Sequence, residues 1–288
     1  MNSPGLLGAT FNPNTATIHP AKLVRGLARA VEDLGGVVRE QTTVQRISPR
    51  RVDTDRGIVR AHAVVDALEA YRATVSGRKR FTLPLYSLMI ATEPLPDSVW
   101  EEIGLAPGET FSDYRRMIIY GQRTADNRFA FGGRGAPYHF GSRIRHAYDT
   151  VDRVHEALTD TLGDLFPQMG TPQVSHRWGG PLGIPRDWHA RVVYDTTTGM
   201  GIAGGYVGDG VALSQVAGFT LADLITGTTS HRVALPLVDT RWPKWEPEPL
   251  RYVGATAGII GTSLADSRES HTNKPSLVGR IVDGLTGH

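Results

Sequence analysis

Apolar residues recur at helical spacing in two parts of the chain. The first part begins at Pro20 and places four apolar residues on one face of a predicted helix of about four turns, Leu23, Leu27, Val31 and Leu34. The second part opens with an apolar run at 200–203, continues through a glycine-rich segment at 204–210 and ends with apolar residues at helical spacing. This order predicts a buried strand, a tight turn and a helix.

The segments between these two helices favour strands. Strands are predicted at 37–39, 42–47 and 58–67, and the region 79–189 predicts a largely antiparallel sheet with one helix at 144–166 that ends at Pro167. One short helix is expected between 255 and 288. The pattern predicts a mixed fold, α+β / α/β, in which the domains are residues 1–78 with 190–226, residues 79–189, and a C-terminal extension at 227–288.

Composition narrows the class of protein. The chain has 288 residues, of which 40% are hydrophobic and 21% charged, and such a chain can bury a substantial core. No apolar run approaches the roughly 18 residues of a membrane span, and no signal-peptide pattern opens the chain, so we expect a cytoplasmic protein without a membrane partner. A formal net charge of +2 with scattered arginines argues against a nucleic-acid partner.

The side chains also limit the chemistry. The sequence contains no cysteine, which excludes disulfides, thiolate nucleophiles and a cysteinyl link to a cofactor. The histidines are well separated and no carboxylate pair has metal-ligand spacing, so we expect no metal site. No arrangement of Ser, His and Asp indicates a nucleophile elbow. Candidate chemistry therefore centres on the glycine-rich turn.

The turn at 204–210 has the sequence Gly-Gly-Tyr-Val-Gly-Asp-Gly. Unpaired backbone N–H groups at a helix N-terminus, together with the helix dipole, favour a ligand that carries negative charge, and glycine lets such a ligand approach closely. A strand, turn and helix packed only for stability would show the same pattern. Asp209 is expected to cap the helix rather than act as a base.

The turn and several other segments, in the same order, resemble the FAD-dependent amine oxidoreductases of the D-amino-acid oxidase and glycine oxidase superfamily, especially its bacterial gamma-glutamylputrescine oxidoreductase-like branch. The segments that carry the resemblance are 16–28, 83–95, 120–128, 131–138 and 205–218. It implies that residues 1–78 and 190–226 are the remnant of a FAD domain and that residues 79–189 bind substrate. It also implies oxidation of an amine or amino acid by hydride transfer to non-covalently bound flavin.

The resemblance assigns roles to individual residues. It implies catalytic roles for three residues, Trp178, Tyr206 and Arg134, and substrate contacts for three more, Tyr120, Tyr138 and Arg177. Each tyrosine could instead belong to the core and each arginine to the surface. The implied cofactor contacts are Val44, Ala67, Gly179, Gly205, Gly208, Asp209, Gly210 and Val211. The chain departs from the family pattern at Asp66 and Leu68, where smaller residues are usual.

One element of the family pattern is not found in the sequence. Residues 1–18 contain no apolar strand followed by Gly-x-Gly-x-x-Gly, the unit that holds the FAD pyrophosphate in these enzymes. We therefore expect an N-terminally truncated form that lacks the pyrophosphate site. Three alternatives stay open: an oxidoreductase that acts on a small amine or amino acid, a catalytically inactive remnant, and one half of a split flavoenzyme that an N-terminal partner chain completes.

Overall fold

The computed structural model describes residues 1–133, 135, 137–238, 242–272 and 274–286. Its α-helices are α1 (Pro20–Asp33), α2 (Asp97–Ile103), α3 (Asp152–Leu165), α4 (Gly210–Thr226), α5 (Leu250–Thr272) and α6 (Leu277–Thr286). Its strands are β1 (Val44–Ser48), β2 (Arg51–Thr54), β3 (Gly57–Arg60), β4 (Val64–Asp66), β5 (Leu83–Thr92), β6 (Thr110–Ser112), β7 (Ile119–Arg123), β8 (Phe129–Gly133), β9 (Val174–Ile184), β10 (Arg191–Asp195) and β11 (Met200–Gly204). The described strands form three sheets.

The largest sheet has the order β6-β7-β8-β5-β9, and every neighbouring pair in it is antiparallel. Side chains alternate between its two faces, so Tyr86, Leu88 and Ile90 of β5 point to the same side. These residues and the phenylalanines of β8 form the main core against α2 and α3. The predicted antiparallel sheet is therefore confirmed, whereas the expectation of one helix in the region 79–189 is wrong, because both α2 and α3 lie there.

Helix α3 covers this core with Val154, Leu158 and Leu162, all of them buried. It begins at Asp152, so the predicted start near 144 is wrong, whereas the predicted end before Pro167 is confirmed. The preceding segment is held in another way, because the Arg145 N–H donates to the Tyr86 hydroxyl at 3.2 Å. A tertiary contact thus overrides the local preference for helix.

A second, mixed sheet has the order β10-β11-β4. β4 runs parallel to β11, with Val64 opposite Met200, while β10 runs antiparallel to β11. Helix α4 packs on this sheet through Ala217 and Leu221, which confirms the predicted strand, turn and helix.

The remaining sheet is the meander β1-β2-β3. The single strand predicted at 58–67 is wrong, because β3 pairs with β2 in this meander and β4 pairs with β11 in the sheet described above. Residues 37–39 are not a strand, so that prediction is also wrong. Helix α1 begins at Pro20 as predicted.

The C-terminal extension packs onto the body of the protein. Trp245 Nε1 donates to the Ile184 carbonyl at 2.8 Å, and Trp242 Nε1 donates to the Phe81 carbonyl at 2.7 Å. The extension contains α5, with 23 residues, as well as α6, so the expectation of one short helix is wrong. The division into domains stays a prediction. Among the described helices, none combines the length and the apolar character needed to cross a bilayer.

Candidate functional site

The glycine-rich turn connects β11 to α4. Gly205 and Gly208 have φ angles of 77° and 110°, in the region that favours glycine. A Cβ atom at Gly205 would also lie 3.0 Å from Pro185 Cγ. The sequence folds into this turn because both the backbone angles and the space require glycine there.

The N-terminus of α4 is not capped by a side chain. Asp209 occupies the N-cap position, but among the described residues its side chain makes no capping hydrogen bond, so the predicted cap is wrong. Its φ of −91° and ψ of 26° lie outside the extended region that a capping residue normally adopts. The N–H groups of Gly210, Val211 and Ala212 consequently have no partner within the helix. They present the positive end of the helix dipole to a ligand.

Tyr206 shapes the inside of the turn. Its carbonyl accepts the Asp209 N–H at 2.9 Å, and its ring lies beside Gly210, where a Cβ atom would be 3.5 Å from Tyr206 Cδ2. Burial, assisted by the charge of Glu69, raises the pKa of Tyr206 to about 12. The hydroxyl is therefore protonated at neutral pH.

Glu69, to which the sequence analysis gave no role, holds the turn from the side of β4. Its Oε1 accepts the Tyr206 N–H at 2.8 Å, a contact between residues 137 positions apart. Its φ of 47° is unusual for a residue with a side chain. Burial raises the pKa of the Glu69 carboxyl, although N–H groups of the turn oppose that shift. Oε2 is buried without a hydrogen-bond partner in the described structure.

A buried ion pair fixes the strand that precedes Glu69. Arg72 Nε donates to Asp66 Oδ2 at 3.0 Å, and both side chains are 0% exposed. Arg72 Nη2 also donates to the Ala203 carbonyl at 3.3 Å, at the end of β11. Burial lowers the pKa of Arg72, which the charge of Asp66 opposes. The sequence analysis noticed Asp66 only as a departure from the family pattern, and that departure was the one signal for this pair.

Two of the predicted site residues share one face of the large sheet. Trp178 of β9 pairs with Met89 of β5, Met89 with Gly132 of β8, and Gly132 with Tyr120 of β7. Cross-strand partners point to the same side of a sheet. Trp178 and Tyr120 therefore stand in one row on the face opposite the main core. We name this row, with Met89, the aromatic row.

The glycine-rich turn approaches the same face of the sheet. Val207 packs against a hydrophobic cluster of Leu83, Leu85, Tyr138, Ile184 and Trp245. Leu85 and Ile184 join this cluster from the face of the sheet that also carries Met89 and Trp178. Beside the aromatic row, the Ser87 and Tyr120 hydroxyls are 2.5 Å apart. Ser87 and Met89 were not predicted, and single residues without a motif gave no signal for them.

Other predicted site residues lie apart from the aromatic row. Tyr138 is 3% exposed, and its hydroxyl donates to Glu248 Oε1 at 2.7 Å, so it joins the C-terminal extension to the body. Arg177 alternates with Trp178 and points to the opposite face, where it lies 3.7 Å from Asp152. Gly179 points to that opposite face as well, and a Cβ atom there would collide with Leu88.

Three further residues complete the predicted set. Val44 begins β1, and Ala67 follows β4 in an exposed position. Arg134 lies outside the described residues. The contacts predicted for these residues stay predictions. Within the described chain, no group of three or more His, Asp and Glu side chains could hold a metal ion.

Comparisons with known proteins indicate the family of the chain. Residues 1–224 match the family described as DAO, FAD dependent oxidoreductase. The chain is 28% identical over 237 residues to "Probable oxidoreductase OrdL" of Haemophilus influenzae, which covers 77% of this chain and 50% of that protein. It is 29% identical over 226 residues to "Gamma-glutamylputrescine oxidoreductase" of Escherichia coli, and this alignment covers 76% of this chain and 50% of that protein.

A solved structure matches the fold. Glycine oxidase from Geobacillus kaustophilus aligns with a TM-score of 0.63 and 21% identity, over 76% of this chain and 57% of that one. The chain thus spans about half the length of the curated relatives that it matches.

Proposed function

The chain belongs to the family of FAD-dependent oxidoreductases, and from this premise we propose that it takes part in the oxidation of an amine or amino acid by hydride transfer to flavin. The observation that carries the proposal is the uncapped N-terminus of α4, which follows a turn whose Val207 packs against the cluster that contains Leu85 and Ile184. Backbone donors at one end and aromatic side chains along one face suit a flat ring on which negative charge accumulates when it is reduced.

The described residues fit a flavin at α4. The N–H groups of Gly210, Val211 and Ala212 have no partner in the helix, and Gly208 beside them carries no side chain. The Tyr206 N–H does not fit, because Glu69 already occupies it. With no cysteine in the sequence, no cysteinyl link can hold the flavin, and we propose non-covalent binding.

When bound, the flavin supplies the redox chemistry by accepting the hydride from the substrate. The protein contributes position and electrostatics. The α4 amides would stabilise negative charge on a flavin held there. Trp178 and Tyr120 form one wall of the substrate space, and the Ser87 and Tyr120 hydroxyls offer a polar contact on it. Tyr206 keeps its proton, and its ring lies beside Gly210.

The absorption spectrum of the purified protein and a titration with FAD test this proposal. We expect the wild-type chain to bind FAD weakly, because its residues 1–18 contain no Gly-x-Gly-x-x-Gly unit for the pyrophosphate. Gly208→Val should weaken this binding at least about tenfold, because a branched side chain is strained at a φ of 110°. Gly218→Ala is the matched control, since a Cβ atom there meets nothing within 4 Å. Equal FAD binding by all three proteins would refute the α4 site. Anaerobic bleaching with a panel of amines and amino acids then identifies the substrate class.

A catalytically inactive remnant is the second candidate. The occupation of the Tyr206 N–H by the Glu69 carboxylate favours it, because a built-in anion repels a second one. FAD binding that appears only in Glu69→Gly would support this candidate. FAD binding and amine-dependent bleaching in the wild-type chain would exclude it.

A further inference from the structure

The guanidinium of Arg72 lies beside the first residue of the glycine-rich turn. A Cβ atom at Gly204 would be 3.4 Å from Arg72 Nη2, and that nitrogen also donates to the Ala203 carbonyl at 3.3 Å. The side chain of Arg72 is 0% exposed. Because the guanidinium and this backbone are in direct contact inside the protein, the position of one depends on the position of the other.

The hydrogen bonds of Arg72 do not use all of its donors. Nε donates to Asp66 Oδ2 at 3.0 Å, and Nη2 donates to the carbonyls of Asp66 and Ala203 at 3.2 and 3.3 Å. Nη1 is buried and has no hydrogen-bond partner in the described part of the chain. A buried cation with unused donors is costly unless another group compensates for its lost hydration.

An aromatic ring of the C-terminal extension provides that compensation. Arg72 Cζ lies 4.3 Å from the centroid of the Trp242 ring, which is within the range of a cation–π contact. Such a contact is strongest with tryptophan and with a cation that is shielded from water, and both conditions hold here. The ring therefore takes the place of water against the guanidinium.

The Trp242 ring is itself held by the body of the protein. Its Nε1 donates to the Phe81 carbonyl at 2.7 Å. Three positions later, the Trp245 N–H donates to the Arg80 carbonyl at 2.8 Å, and Arg80 Nε donates to the Trp245 carbonyl at 2.6 Å. These bonds fix the extension on the loop before β5, so the ring would leave Arg72 only if they broke.

We propose that Trp242 is a positioning residue of the candidate site, because through Arg72 it fixes the glycine-rich turn from which α4 begins. The C-terminal extension, which lies outside the family match to residues 1–224, is thereby part of the site. The effect on the turn needs no bound ligand. The effect on flavin affinity rests on the proposed function.

The charge of Arg72 reaches the turn by a second route. Glu69 Oε1 accepts the Tyr206 N–H at 2.8 Å. Burial raises the pKa of the Glu69 carboxyl, and the charge of Arg72 is among the effects that oppose this rise. An ionised carboxylate is the stronger acceptor for an N–H group. By holding the cation in place, Trp242 supports this hydrogen bond as well.

Hydrogen exchange of the full chain without FAD tests the positioning role. Trp242→Leu removes the aromatic face, whereas Trp242→Phe keeps one. The amides of Tyr206 and Asp209, whose hydrogen bonds hold the turn, report on the turn, and those of β8 in the main core report on unfolding of the whole chain. The matched control is Phe219→Leu, because the Phe219 ring also lies under an arginine, with Arg232 Cζ at 5.6 Å, but is 56% exposed.

We expect Trp242→Leu to speed exchange of the turn amides at least about tenfold, with a smaller change in β8. Tenfold corresponds to about 1.4 kcal/mol, which a cation–π contact shielded from water can supply. Trp242→Phe should recover most of the protection, and Phe219→Leu should match the wild type. In a chain with Asp66→Asn and Arg72→Met, which has no guanidinium at position 72, adding Trp242→Leu should speed exchange of the turn less than about threefold.

Four results would overturn the positioning role: no acceleration at the turn, equal acceleration in the turn and β8, no recovery with Trp242→Phe, or a full effect of Trp242→Leu without the guanidinium. A titration with FAD separates this inference from the proposed function. Trp242→Leu should weaken FAD binding at least about tenfold, and equal binding by the wild type would overturn the place of the extension in the site. If the exchange results hold but no FAD binds to the wild type, the proposed function is contradicted and the role of Trp242 at the turn stands.

Discussion

Asp66→Asn tests the buried ion pair that supports the candidate site. The substitution keeps the shape of the side chain but removes a negative charge that accepts bonds from Arg72 Nε at 3.0 Å and from Arg78 Nη1 at 3.1 Å. Arg72 is 0% exposed, and Arg78 is 15% exposed, so neither cation can recover its hydration without moving. The change therefore leaves an uncompensated charge in the interior.

The expected loss of stability follows from that burial. Removing one partner of a fully buried pair costs about 3–5 kcal/mol, mostly because the remaining charge stays desolvated. For a chain of this size, each kcal/mol lowers the melting temperature by about 2–4 °C, so we expect a fall of about 6–20 °C. A loss of this size is a large share of the total stability of an ordinary domain.

Thermal unfolding followed by circular dichroism measures the effect. The matched control is Asp152→Asn, which breaks the exposed contact with Arg177 at 3.7 Å and should cost at most about 1 kcal/mol. Replacing both members, Asp66→Asn with Arg72→Met, should be less destabilising than Asp66→Asn alone, because no unpaired guanidinium remains at position 72. If Asp66→Asn and Asp152→Asn lower the melting temperature equally, the argument from buried charge is refuted.

Two further predictions concern the core and the clamp on the turn. Leu162→Ala, at a residue that is 0% exposed, should lose about 2–5 kcal/mol in urea denaturation, whereas Leu264→Ala, at a residue that is 61% exposed, should change stability by at most about 0.5 kcal/mol. Glu69→Gln should change the pH dependence of stability. The pKa of Glu69 is raised in the folded state, so the wild-type chain loses stability as the pH rises from the ordinary pKa of a glutamate through the raised pKa. The variant should lack this loss. If the melting temperatures of the two proteins change in the same way between acid and neutral pH, the raised pKa of Glu69 is contradicted.

Local sequence patterns correctly predicted the elements whose residues all have similar surroundings in the fold. α4 and β11 were predicted from one apolar run and one glycine-rich turn, and both are present. The start of α3 was wrong because the hydroxyl of Tyr86, 59 positions away, holds the preceding segment out of the helix. The predicted strand at 58–67 failed for a similar reason, since its two halves find partners in different sheets. Hydrophobic periodicity and secondary-structure propensity depend on neighbouring residues, so they do not indicate partners that are distant in the sequence.

The candidate site divides in the same way. The turn was predicted because glycine is needed where φ is positive, a property of single residues. The neighbourhood of Trp178 and Tyr120 depends on the register of four strands, which the order of residues alone does not fix. Glu69 was missed because a lone glutamate has no motif, and its role arises from a partner 137 positions away.

Two side chains that follow β4 hold the glycine-rich turn and the end of β11. Asp66 closes β4, and Glu69 follows it by three positions with its carboxylate on the Tyr206 N–H. Arg72 binds both Asp66 and the Ala203 carbonyl, so the end of β4 and the start of the turn are tied together twice. Both contacts come from residues that lie within six positions of the end of β4, so this short segment positions the turn that leads into α4.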